Sequence, residues 1–187
     1  MPRNRRPQDP EKKRTEILTA AERLFTDAGY DQTSMARLAA AAGVTPTTIY
    51  WYFEDKDALL VGVLERIVGD AVAELATLAD MTLSERMLWV VERLERYHKL
   101  VTVVHARTAV SPRIEDWHSG FHLLVETMLA DGLREEAGFT ETEIAARTTL
   151  GVFAVEGLLT HQLDEMGRRA LVELVTNNHA KSSLRSS

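Results

Sequence analysis

Apolar side chains recur along this chain at three- and four-residue spacing, the period of an α-helix and not of a strand. Ile17, Ala21, Leu24, Phe25 and Ala28 line one face of a helix expected from about 11 to 28, with Gly29 as the residue that ends it. Leu59, Leu60, Val63, Leu64, Ile67, Val68, Ala71 and Leu75 keep the same period through a long helix from 56 to about 78. Gly62 and Gly69 sit inside it and mark either close packing or slack. Thr82 or Ser84 caps the next helix, which carries Met87, Leu88, Val91, Leu94 and Tyr97 to about 100. The run VTVVHARTAV at 101–110 is the one β-like stretch, but no second strand exists to pair with it, so a short helix before Ser111-Pro112 is expected. A helix from 112 to about 136 ends at Gly138, and Thr140 with Glu143 forms a capping box for the next. That helix, expected to reach 166, is apolar nearly all round between Ile144 and Leu163, which implies burial on several sides. Gly167 is expected to break it, and a last helix from 168 to about 179 shows Leu171, Val172, Leu174 and Val175. The fold class is therefore all-α.

The most informative stretch is TSMARLAAAAGVTPTTIYWYFEDK, from Thr33 to Lys56. Thr33 or Ser34 can cap a short helix whose apolar face is Met35, Leu38, Ala39 and Ala42. Gly43 supplies the left-handed exit, Thr45 caps a second helix and Pro46 sits in its first turn, where a missing N–H costs nothing. Ile49 and Phe53 bury one side of that second helix. Two short helices on a tight glycine turn form a helix-turn-helix, whose second helix enters the DNA major groove. Tyr50, Trp51 and Tyr52 are about 100° apart around the axis, so at least one ring must face away from the core. Trp51 is assigned to packing.

This stretch resembles the DNA-binding motif of the TetR family of transcriptional regulators. TS, LAAAAGVT and TTIYWYFEDKDALL fall at the family's spacing, unbroken from 33 to 60. Tyr30, where the family uses a similar aromatic, should close the core of a three-helix module. The DNA contacts expected are Ser34, Arg37, Thr45, Thr47, Thr48, Tyr50, Tyr52 and Lys56. Thr47 and Tyr52 would reach bases. Thr48 and Tyr50 would bond phosphates, and Ser34 and Lys56 would clamp them at the two ends. Lys56 lies near a helix N-terminus, which also favours anions.

A net charge of −6 at first argues against nucleic acid. Its distribution changes that reading. Residues 1–14 hold six basic against two acidic side chains, while 61–187 hold 13 basic and 19 acidic. A basic end on an acidic body suits a DNA reader with a separate sensor half. The domains expected are a disordered basic tail at 1–10, the DNA-binding domain at 11–55, a ligand-binding and dimerisation domain of about six helices at 56–180, and a loose tail at 181–187. There is no cysteine, no apolar run of about 20 residues to span a membrane, and no apolar segment after the N-terminal arginines to make a signal peptide. A cytoplasmic protein is expected.

Other chemistry is thin. No phosphate-binding glycine loop, GxSxG elbow or HExxH motif occurs, so the chain reads as no enzyme, with no cofactor. His118 and His122 have a metal-ligand spacing, but such pairs on half-exposed helices usually bind nothing and no third ligand stands at fixed spacing, so no metal is assigned. The second half holds large rings, Trp89, Trp117, Phe121 and Phe153, each of which alone reads as core. Together with Arg93, His105, His118 and Glu156 they resemble polar groups converging on an apolar cavity. The family resemblance implies such a pocket, for a small apolar or aromatic effector, beside the long helix. One recognition helix reads too few base pairs for an address, so a homodimer on palindromic double-stranded DNA is expected. Its interface would use Leu150, Val155, Leu158, Leu159, Leu171 and Val175. The function expected is a repressor released from its operator by the effector. A DNA-binding factor without an effector is the alternative.

Overall fold

A computed structural model describes residues 9–177 except Ala79, Ala137 and Gln162. The tail at 1–8, the tail from 181, and the end of the last expected helix at His179 lie outside the described residues. Among the described residues the structure is nine helices with no strand. They are α1 (Pro10–Asp27), α2 (Met35–Ala41), α3 (Pro46–Tyr52), α4 (Lys56–Ala76), α5 (Leu83–Arg96), α6 (His98–Thr108), α7 (Pro112–Glu135), α8 (Glu141–Thr160) and α9 (Glu165–Thr176). The β-like run at 101–110 is helical through Thr108; with no strand among the described residues to pair with, a helix is what satisfies its backbone.

The helices form two compact units, residues 1–70 with 99–117 and residues 71–98 with 118–187. The packing therefore divides elsewhere than at 55/56. The first unit includes the first part of α4, most of α6 and the start of α7. Its core is Ile17, Leu18, Ala21 and Phe25 of α1, Leu38 and Ala39 of α2, Ile49 of α3, and Leu59, Leu60 and Val63 of α4. Leu100, Val104 and Ile114 complete it, all nearly inaccessible to solvent. Tyr30 is buried at its corner and tilts against Phe25, ring centroids 5.3 Å apart. Lys99 caps the C-terminus of α1, its Nζ donating to the carbonyls of Thr26 and Asp27 at 3.2 and 3.1 Å.

The two glycines of α4 behave oppositely. A Cβ on Gly62 would stand 3.0 Å from Phe53 Cε1 and 3.1 Å from Leu18 Cδ2, so its hydrogen lets the helix lie close against them. A Cβ on Gly69 would meet nothing within 4 Å.

The core of the second unit joins Leu83, Met87 and Val91 of α5, Leu129 and Leu133 of α7, Ile144, Ala154 and Leu158 of α8, and Val172 and Val175 of α9. Capping boxes start two of its helices, Thr82 with Glu85 and Thr140 with Glu143. Arg147 closes a third end. Its guanidinium lies 4.5 Å from the Phe139 ring centroid and donates to the carbonyls of Leu174 and Val175, at the C-terminus of α9, at 2.6 and 2.8 Å.

The structure corrects the expected boundary of α8. The helix ends at Thr160, not 166, and Gly167 breaks nothing. Asp164 caps α9, its Oδ1 accepting from Gly167 N at 2.8 Å, so Gly167 lies in the first turn of α9. An aspartate cap outweighs a first-turn glycine, because it satisfies a backbone donor that would otherwise stay open.

Candidate nucleic-acid interface

Local sequence builds the two short helices of the first unit as caps and turns dictate. The Ser34 hydroxyl accepts from Arg37 N at 3.2 Å and opens α2. Thr33 is instead fully buried, its hydroxyl donating to the Gly29 carbonyl at 2.8 Å. Gly43 takes φ +65°, the left-handed conformation the turn needs. Thr45 then caps α3, its Oγ1 3.3 Å from Thr48 N and 2.9 Å from the Thr48 hydroxyl.

On α3, Ile49 is fully buried and Phe53, just after the helix, is buried beside it. Trp51 is 73% exposed and Tyr50 52% exposed. Trp51 is thus no packing residue, and the expectation for it is overturned. It lies two residues from each buried neighbour, about 200° round from Ile49, and so points directly away from the core. That geometry was present in the spacing. Tyr52 is half-buried and meets Trp51 edge-on at 4.8 Å between centroids. Ser34, Arg37, Thr45, Thr47 and Tyr50 are exposed, whereas Thr48 is half-buried with its hydroxyl engaged in the α3 cap.

Behind this surface lies a polar hub that sequence reasoning missed. Asp57, in the first turn of α4, accepts from Arg107 of α6 through two parallel bonds, Nε to Oδ1 at 2.8 Å and Nη2 to Oδ2 at 2.7 Å. The Tyr30 hydroxyl donates to the same carboxylate. Burial favours the neutral Asp57 carboxyl, but Arg107, Tyr30 and Ser111 outweigh it and hold the group below its usual value. Burial first and Asp57 second push the Tyr30 phenol far above its usual value, so it stays a donor. Arg107 was unremarkable in sequence because its partner lies fifty positions away.

Lys56 leans over Tyr30, Nζ 3.9 Å from the ring centroid, and burial lowers its pKa. The helix N-terminus beside it is already capped, with Asp55 Oδ1 accepting from Ala58 N at 2.6 Å.

The residues expected around an effector are divided between the units. His105 and Trp117 belong to the first unit, and Trp89, Arg93, His118, Phe121, Phe153 and Glu156 to the second. Arg93 stacks on Trp89 at 5.6 Å and pairs with Glu74 at 3.1 Å. Phe153 is 64% exposed on the outer side of α8 and lines no interior. Of the expected dimer residues, Leu158 and Val175 are buried in their own unit's core and have no surface to offer a partner. Leu150 is exposed, and Val155, Leu159 and Leu171 are half-buried.

A helix-turn-helix with an outward aromatic face defines a DNA-binding class of protein. The sequence profile described as "Bacterial regulatory proteins, tetR family" matches residues 17–63. That match spans the helix-turn-helix and the helices beside it, 47 of the 187 residues. The chain is 38% identical over 82 residues to the transcriptional regulator EthR of Mycobacterium tuberculosis, a match covering 43% of this chain and 38% of EthR. The matched part is thus less than half the length of that relative. Among solved structures, a transcriptional regulator from Saccharomonospora viridis in complex with choline superposes with a TM-score of 0.69 at 21% identity, over 90% of this chain and 97% of that one. The superantigen PfiT superposes at 0.65 with 21% identity, over 95% and 97%. These two likenesses are of fold. Among the described residues no helix is long and apolar enough to cross a membrane.

Proposed function

We propose that the protein is a sequence-specific DNA-binding transcriptional regulator that acts as a homodimer on a palindromic operator. A superantigen sharing the fold shows that architecture alone does not decide function. The observation that carries the reading is the outward face of α3. A seven-residue helix that buries Ile49 on one side presents Thr47, Tyr50 and Trp51 to solvent on the other. Exposed large rings on so short a helix call for a partner, and a helix after a glycine turn fits the major groove. Thr47 and the three rings read bases and sugar edges, while Ser34, Arg37 and Lys56 hold phosphates.

Control by a small molecule is the second part of the proposal. The choline complex of the S. viridis regulator supports it, since that ligand is held by a protein of the same fold. Trp89 and Phe121 are the rings of the second unit assigned to such an effector, which weakens operator binding and so relieves repression.

The experiment is selection of double-stranded DNA from a random pool, followed by binding titrations. A palindromic consensus is expected, bound at least about 10³-fold more tightly than random DNA. Trp51→Ala should lose much of that preference while shifting stability by no more than about 0.5 kcal/mol, as suits an exposed site. Recovery of no consensus would overturn the reading.

A further inference from the structure

The outward face of α3 has a chemical bias that says which bases it can tell apart. Thr47, Tyr50 and Trp51 stand at i, i+3 and i+4, so they share one side of the helix, and all three are exposed. Bases in the major groove are distinguished by their donor and acceptor edges and by the thymine methyl. A guanine edge calls for arginine or lysine, an adenine edge for the amide of asparagine or glutamine, and cytosine for a carboxylate. The α3 sequence, PTTIYWY, contains none of these.

The polar side chains around α3 are engaged within the protein. Glu54 accepts from Arg113 Nη2 at 2.7 Å, and Asp55 Oδ1 accepts from Ala58 N at 2.6 Å. Arg37 lies on α2 and donates to the Gln32 carbonyl at 3.3 Å. The Thr48 hydroxyl is tied to the Thr45 cap at 2.9 Å. What the face offers a base is therefore the methyl and hydroxyl of Thr47, the ring and hydroxyl of Tyr50, and the indole of Trp51. A lone hydroxyl can donate or accept, so it ranks bases poorly. Apolar carbon has one counterpart among the base edges of this groove, the C5 methyl of thymine. The indole is also steadied for such a contact. The half-buried Tyr52 meets it edge-on, with 4.8 Å between ring centroids and 85° between planes. A side chain already held in this way loses less freedom on binding.

We infer that α3 selects its half-site through thymine methyl groups, with Trp51 as the specificity-determining residue and Thr47 beside it. The methyls pack on the indole and on the threonine methyl, and apolar surface leaves water on both sides. Guanine at the same positions is disfavoured, because its O6 and N7 acceptors lose water and meet no paired donors. The inference rests on the reading that the chain binds DNA through α3.

The full chain and the consensus duplex selected from a random pool test it. Each thymine of the consensus is replaced in turn by deoxyuridine, which removes the methyl and leaves every hydrogen-bonding group in place. At one or more thymines of each half-site, affinity should fall about fourfold, the factor that corresponds to ~0.8 kcal/mol for one buried carbon. In Trp51→Ala the thymine and uracil duplexes should bind alike at that position. Trp51→Phe keeps an apolar ring without the N–H, and should preserve the discrimination. Trp51 is exposed, so both variants should melt with the unaltered chain. A consensus bound equally well with uracil at every thymine would overturn the inference and leave DNA binding standing. Discrimination that persists undiminished in Trp51→Ala would overturn the role of Trp51. Failure to select any consensus would remove the DNA reading and this inference with it.

Discussion

Asp57 shows how much rests on single side chains behind the α3 surface. Its carboxylate gathers Arg107 and Tyr30, with Lys56 stacked on the same tyrosine. Asp57→Ala leaves a half-buried guanidinium and a buried hydroxyl without their acceptor, so a loss of about 1–3 kcal/mol is expected in urea unfolding. The pH dependence follows from the lowered folded pKa. A carboxyl lowered in the native state contributes its stability above the unfolded value of about 3.9 and loses it as pH falls through the folded value. The unaltered chain should therefore lose stability below about pH 4 more steeply than Asp57→Asn, as read by urea midpoints across pH. Lys56→Ala should lower affinity for all DNA sequences alike and reduce the salt slope by about one. A changed sequence preference with an unchanged salt slope would instead place Lys56 on a base. The hub was not legible in the sequence, because ion pairs between distant positions leave no local period. The exposure of Trp51 was legible, and only the wheel position had to be taken seriously.

Among the elements, caps and glycines were the most readable signals. Ser34, Thr45, Thr82 and Thr140 all cap as their types suggest, and Gly29, Gly43 and Gly138 all take positive φ. The break between α8 and α9 was misplaced because Asp164 and Gly167 give opposing signals, and only the observed bond between them decides. The interior glycines of α4 give a matched test. Gly62→Val forces atoms into Phe53 and Leu18 and should destabilise by about 1–3 kcal/mol. Gly69→Ala meets open space and should stabilise by up to about 1 kcal/mol through helix propensity alone. Thermal melts of the two variants should move in opposite directions.

For the whole molecule, the all-round apolarity of α8 was visible in sequence, but which residues face inward was not. Leu158 turned out to serve its own core, and Phe153, expected inside, stands outside with Leu150. Periodicity cannot rank faces on a helix that is apolar everywhere. We propose the outer face of α8, with Leu150 and Phe153 at its centre and Leu174 of α9 exposed as well, as the surface that pairs two chains. Sedimentation at micromolar concentration should give a dimer, and Phe153→Asp should give a monomer with unchanged helicity. A monomeric unaltered chain would remove both the dimer and the palindrome argued from it. The acidic body from residue 61 onward also implies that DNA is approached from the basic end, so binding should weaken steeply with salt.

The outward indole of Trp51 makes this chain its own optical reporter. Three tryptophans are present, and Trp89 and Trp117 are both half-buried. In a Trp89→Phe/Trp117→Phe background, the remaining emission arises from the recognition helix alone. Free in solution it should be red-shifted and open to iodide quenching. Stacked against nucleotides it should dim and become shielded, giving an occupancy signal without any attached dye.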